Sequence, residues 1–331
     1  MYSEADIQSA VEAGVMTPET AAALRAHVAA KRQMRLADEE HFLVLGGFND
    51  IFVTLALLLV LVFPISVGNG YVAAAVCWGI AEFVTRRRRL ALPSIVLLLI
   101  FTPAVYLEAL SSLGATGREW LEAGSSDAAI GACAAAFLAT LAYWWRFRVP
   151  IAQAAMAATV LAALVQSAAA QLPNSGLTWP LLGFGGVAIF AYAMWWDLSD
   201  RERRTHRADV AFWLHLLAAP LIAHSVFRHF GLFGAATMEW APIVLLIYVI
   251  FSLVAIVVDR RAILVSGLGY ALAAVTGILG DVGAGILGAT LLLGGTLLML
   301  GLFWSNVRAA VVVHIPEDWR RRLPPIDRRT A

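Results

Sequence analysis

The chain has 331 residues, 60% of them hydrophobic and only 14% charged, with a formal net charge of +1. So little polar surface cannot cover a soluble globule of this size, and arginine confined to short loops excludes the basic face that tracks nucleic acid. The two cysteines, Cys77 and Cys133, both lie in apolar stretches and read as small core residues, not as a disulfide or a metal pair.

Residues 1–40 are the one sizeable polar segment and are expected to form a cytoplasmic helical hairpin. Ser3 can cap the first helix, with Asp6 three residues on, and Gly14 ends it. Thr17-Pro18-Glu19 opens the second helix, with the N-cap, the first-turn proline and the acidic residue in their favoured places. The apolar positions Ile7, Val11, Val15, Leu24 and Val28 are too few for an independent core. The hairpin therefore needs the membrane domain, a protein partner or a second copy to pack against. No apolar run precedes Phe42, so the first span is expected to act as an uncleaved signal.

Residues 41–306 read as an all-α, polytopic transmembrane helical bundle of about ten spans. Stretches such as Phe48 to Val67, Leu90 to Leu113 and Ala241 to Val258 run for about 18 residues or more with almost no charge. The last of these belongs to a span Trp240 to Val258, and the remaining spans are Tyr71 to Val84, Asp127 to Trp145, Val149 to Leu172, Trp179 to Trp196, Asp209 to Phe230, Ala262 to Gly280 and Val282 to Trp304. With this division all but Arg118 and Arg228 of the 24 Lys and Arg residues fall on one side. Basic residues in short loops stay in the cytoplasm, which places both termini there. Trp120, Trp179 and Trp240 mark one interface, and Trp144, Trp145, Trp195, Trp196 and Trp304 the other. The small residues Gly277, Gly280, Ala284, Gly288 and Gly294 favour close helix packing and offer a possible homodimer surface. Gly183, Gly185 and Gly186 invite the same reading or, less readily, contact of a ligand with bare backbone. Residues 307–331 form an Arg- and Pro-rich cytoplasmic tail.

Ionisable residues inside spans are costly and mark candidate solute or proton pathways. His215 lies about two turns beyond Asp209 and is expected near mid-membrane. Glu108 follows Pro103 and has no basic neighbour in sequence. Asp209 and Asp50 sit near helix starts, where capping or pairing is the ordinary role. His224 completes the set. It lies nine residues from His215, which rotates it by about 180° and sets it about 13 Å along an ideal helix, so one metal site cannot use both. Pro103 and Pro220 are hinge candidates because each removes a backbone donor. Glu82 and Arg86 are spaced for an i,i+4 pair, and Asp259 and Asp281 read as interface and turn residues.

No zinc HExxH, GxSxG elbow, phosphate loop or CxxC is present, so neither catalysis nor a cofactor is expected. The turn Gly14 to Glu19, the Leu-Leu-x-Gly-Gly-x-Leu-Leu stretch Leu292 to Leu298, and Trp304, Arg308 and Pro316 beyond it resemble bacterial membrane proteins grouped as a domain of unknown function. That resemblance implies a bacterial inner-membrane location and no particular activity. The ten-span plan with both ends inside also looks like the drug/metabolite transporter superfamily in topology. The leading expectation is a secondary transporter of a small solute. The alternative is a non-transporting scaffold or sensor that recruits a partner through residues 1–40, and a membrane enzyme using His206, Asp209 and His215 comes third.

Overall fold

The computed structural model describes residues 4–24, 48–66, 68–114, 127–172, 176–201, 203, 205–229, 241–261, 263–264, 267–269, 271–272, 275, 282–320 and 323–324, and every regular element among them is helical. Helix α1 (Glu4–Glu12) is followed by Gly14 at φ +72°, the left-handed conformation that closes a helix without a Cβ penalty. The next helical stretch, 18–24, begins after Thr17, whose Oγ1 accepts from the Thr20 N–H at 3.2 Å. Both turn signals act as their chemistry suggests. Ser3, Val28, Gly277, Gly280, Asp281, Arg118, Trp120 and Trp240 lie outside the described residues.

The apolar segments form α2 (Phe48–Ser66), α3 (Gly70–Val84), α4 (Ala91–Ser112), α5 (Asp127–Phe147), α6 (Ile151–Gln171), α7 (Thr178–Ser199), α8 (His206–His229), α9 (Ala241–Val258) and α10 (Val282–Leu302). Two short helices follow, α11 (Trp304–Val312) and α12 (Glu317–Arg320). Among the described residues six helices, α2 and α4 to α8, are long and apolar enough to cross a membrane. The end of α10 and α11 add a seventh if a pair bent by 80° counts as one span, while α3 and α9 are shorter. These are the helices of a membrane-embedded protein. Most of the expected ninth span, 262–280, is outside the described residues.

Helices α2 to α5 pack around Leu61, Cys77, Leu97, Leu98 and Tyr143, all buried. Trp78, Phe101 and Phe147 close on the Tyr143 ring at centroid distances of 5.7, 5.0 and 4.5 Å. Such offset and edge contacts add to the area that the rings remove from solvent. The Thr102 and Thr140 hydroxyls bond to each other at 2.9 Å, satisfying two polar groups between α4 and α5. Glu82 makes the expected pair with Arg86 at 3.5 Å, and a shorter one at 2.7 Å with Arg146 that ties α3 to α5.

Helices α6 to α8 meet over Leu161, Ile189, Ala193, Val210 and Leu214. Glycines make this contact close: a Cβ on Gly183 would lie 3.0 Å from Ser225 Cβ, and one on Gly186 would lie 2.9 Å from Ile222 Cγ1. Leu161 fills the space beside Gly185. All three glycines therefore serve packing, since side chains occupy the room that a ligand would need. Gly294 of the expected small-residue ladder behaves differently, because a Cβ there would meet nothing within 4 Å. Outward faces carry Leu59, Phe63, Phe184 and Leu291, the surface that a bilayer would cover. Trp145 and Trp195 point outward as an interface belt requires, whereas Trp304 is buried.

A buried charge cluster as candidate functional site

The α7–α8 turn is built by Asp200, whose Oδ2 accepts from the Thr205 N–H at 2.8 Å and from its hydroxyl at 2.7 Å. Thr205 Oγ1 in turn accepts from the Arg207 N–H at 3.3 Å, so Thr205 opens α8. The turn sets α8 antiparallel to α7 and brings His215 against Asp197, two residues before α7 ends. His215 Nε2 lies 2.9 Å from Asp197 Oδ2, and the edge of its ring meets Phe190 at a centroid distance of 4.9 Å.

Arg260, two residues past the end of α9, completes the cluster with a bidentate grip on Asp197. Its Nε donates to Oδ2 at 3.2 Å, its Nη2 donates to Oδ1, and Nη2 also donates to the Ala208 carbonyl at 3.2 Å. Fork geometry of this kind is the strongest arrangement available to a guanidinium and a carboxylate. His215, Asp197 and Arg260 are all buried.

The carboxylate only accepts, so Nε2 of His215 carries a proton and donates it. That leaves Nδ1, which is buried without a hydrogen-bond partner among the described residues. With a neutral imidazole the cluster is electrically balanced. Adding a proton at Nδ1 makes it net positive beside Arg260, in a place that water does not reach.

A second pair crosses the first. Arg203, from the α7–α8 turn, holds Asp259: Nη1 reaches Oδ2 at 3.0 Å and Nη2 donates to the Asp259 carbonyl at 2.8 Å. Each turn thus lends an arginine to the other's carboxylate, Arg203 to Asp259 and Arg260 to Asp197. Arg203 and Asp259 both adopt left-handed backbone, at φ 51° and 61°, as do Arg89 and Arg148 in the other arginine turns. Non-glycine residues accept this only where surrounding contacts hold them.

Trp304 Nε1 donates to Asp259 Oδ1 at 2.7 Å, and Arg308 Nε lies 3.6 Å from the same oxygen. Trp304→Phe should therefore cost about 1–2 kcal/mol in thermal or denaturant unfolding, by removing one donor from a largely covered carboxylate. A neutral result would mean that water replaces the indole.

The other candidates have separate surroundings. Glu108 Oε2 accepts from the Gly70 N–H at 2.7 Å and so caps the start of α3, which gives it a structural partner that sequence spacing hides. Asp209 is exposed in the first turns of α8, with His206 Nδ1 3.6 Å away, so His206 and Asp209 do not share a site with His215. Asp50 is buried on α2, where Thr54 Oγ1 donates to its carbonyl at 2.6 Å. His224 lies over Trp179 at a centroid distance of 5.1 Å, with different neighbours from His215. Pro103 and Pro220 sit exposed inside helices that continue through them. Among the described residues no three His, Cys, Asp or Glu side chains are grouped to hold a metal.

His215, the tenth residue of α8, is joined by Asp197 and Arg260 from the ends of α7 and α9. Asp197 and Arg260 lie close to helix ends, where they read as interface residues, and only the packing of α7 on α8 reveals them as its partners.

No family model matches the chain, and no curated protein or solved structure matches it either.

Proposed function

We propose that this is a polytopic carrier of a small solute in which the Asp197–His215–Arg260 cluster, with the crossed Arg203–Asp259 pair, forms a proton-responsive gate at the arginine-rich end. The proposal takes ten spans: the six long helices, α3, α9, α10 and residues 262–280. It sets both termini in the cytoplasm of a bacterial inner membrane, in keeping with the arginine asymmetry, and assigns no catalysis. The observation that carries it is a carboxylate, an imidazole and a guanidinium buried together among apolar helices. Such groups cost stability in this setting, and a buried ion pair alone is often matched by a hydrophobic substitute. The imidazole adds what a plain ion pair lacks, a site that accepts and releases a proton.

Closed, the gate is balanced and the two turns are pinned to each other. Protonation of His215 adds charge that the cluster does not compensate, and opening the turns to water relieves it. The test is thermal stabilisation of the purified protein by a library of small metabolites and ions at two pH values, for wild type and His215→Gln. A solute that stabilises wild type more than the variant, with a pH dependence that the variant loses, supports the carrier. Absence of any stabilisation counts against it.

A scaffold reading has one specific observation in its favour. Val15, in the turn between the two N-terminal helical stretches, is 81% exposed, and the few apolar positions of residues 1–40 give that segment no core of its own. Deleting residues 1–36 separates the two readings, since a carrier keeps its solute response and a scaffold loses its partner in pull-down.

A further inference from the structure

The arginine turns differ in how their charge is matched. Around the α7–α8 turn and the turn after α9, residues 197–209 and 259–261 hold six arginines and five carboxylates, with Asp197 and Asp259 gripped by Arg260 and Arg203. Around the α3–α4 and α5–α6 turns, residues 82–89 and 146–148, six arginines face a single carboxylate, Glu82. Arg146 and Arg86 share that carboxylate. Arg87, Arg88, Arg89 and Arg148 make no ion pair among the described residues, and all four are exposed. The unmatched positive charge of the bundle's turns is therefore gathered on its first half.

The two basic turns form one face. Val84 and Leu90 flank the first, Phe147 and Val149 lie at the second, and all four pack in one apolar cluster. Glu82 joins the turns again through Arg146. Aromatic rings carry two of the guanidinium groups, Arg88 lying 5.4 Å from the centre of the Phe83 ring and Arg148 5.8 Å from that of Trp144. Phe83 and Trp145 are themselves exposed, Trp145 by 78%. An arginine excess edged with exposed aromatic side chains, at the ends of apolar helices, has the composition of a surface set at headgroup level.

Backbone conformation adds an independent sign. Arg89 and Arg148 both adopt φ 55°, which glycine accepts without steric cost and other residues do not. The Arg148 N–H donates to the Trp144 carbonyl at 2.9 Å, a bond that glycine would make equally well. What glycine would lose at either position is the charged side chain, so each arginine is kept there against local strain.

We propose that the α3–α4 and α5–α6 turns together are a docking surface for anionic phospholipid headgroups. Arg87, Arg88, Arg89 and Arg148 take the phosphates, and Phe83 and Trp145 lie at the boundary with the acyl chains. The inference rests on the membrane reading of the apolar helices and does not depend on transport.

The test uses the full chain in phosphatidylcholine nanodiscs and in the same discs doped with phosphatidylglycerol, followed by thermal unfolding at low and high salt. Phosphatidylglycerol should raise the wild-type midpoint, and salt should erase the rise. R87Q/R88Q/R89Q/R148Q should lose most of it, each arginine contributing about fivefold in lipid affinity. R201Q/R207Q, on the charge-matched α7–α8 turn, should keep it. Arg89→Gly separates strain from binding: its midpoint in phosphatidylcholine should equal or exceed that of wild type, while its rise with phosphatidylglycerol should shrink. Inorganic phosphate added to phosphatidylcholine discs should not reproduce the effect. As a second readout, mass spectrometry of lipid retained after detergent purification should find phosphatidylglycerol enriched on wild type and not on the quadruple variant. Equal responses of wild type and the quadruple variant, an equal loss in R201Q/R207Q, or the same rise with inorganic phosphate would overturn the proposal. A chain that fails to enter nanodiscs at all would instead overturn the membrane reading.

Discussion

Asp197→Asn should destabilise the protein by about 3–5 kcal/mol, the largest loss expected of any single polar substitution in this chain. The reason is what the change leaves behind. Arg260 remains buried with its bidentate partner gone, and His215 loses the acceptor of its Nε2 proton. An uncompensated guanidinium in an apolar bundle costs far more than the hydrogen bonds themselves. A companion variant separates the two contributions. Replacing the whole cluster with apolar residues, as D197L/H215F/R260M, removes every charge at once and should recover much of the loss in denaturant unfolding. If Asp197→Asn unfolds at the wild-type midpoint, the cluster is hydrated and the gate has no basis.

Gly70→Ala should destabilise by about 1–3 kcal/mol, although alanine is the better helix former. A Cβ at Gly70 would overlap the Ala104 carbonyl oxygen and lie 2.9 Å from Glu108 Cβ, so α3 and α4 would have to separate. Separation would also lengthen the Gly70 N–H bond to Glu108, now 2.7 Å. A Cβ at Gly79, on the same helix, would meet nothing within 4 Å, and Gly79→Ala should be neutral or mildly stabilising. Thermal unfolding of the two variants side by side checks the account. Equal effects would mean that helix propensity, and not the α3–α4 contact, governs both sites.

Much of the fold was legible because membrane helices announce themselves by composition. The boundaries of α2 and α4 to α9 fall within a few residues of the apolar runs, and Gly14 and Thr17 terminate and start helices where their chemistry requires. The candidate site was legible only in part. His215 stood out because an imidazole in an apolar span is costly, but its partners lay in sequence beside ordinary boundary residues. Asp197 follows two tryptophans at the end of a span and Arg260 belongs to a basic turn, so periodicity and charge counts assign both to the surface. Trp304 misled for the same reason, as an indole at a helix end belongs by default to an interface belt, and here an 80° break turns it inward onto Asp259. Glu108 shows the converse. It looked functional for want of a basic neighbour, and its partner is a backbone N–H 38 residues away. Pairings of this kind depend on tertiary contact, which no local pattern encodes.

Hydrogen–deuterium exchange across the two gate turns, residues 197–203 and 259–261, tests the central claim most directly, measured in nanodiscs over a pH series for wild type and His215→Gln. Protonation at Nδ1 becomes more favourable as pH falls, so wild type should lose protection in both turns together on acidification, while the variant stays flat. The two turns should move as one because Arg203 and Arg260 cross between them. Protection that is independent of pH in wild type, or a pH response that survives in His215→Gln, would contradict a proton-responsive gate at this cluster.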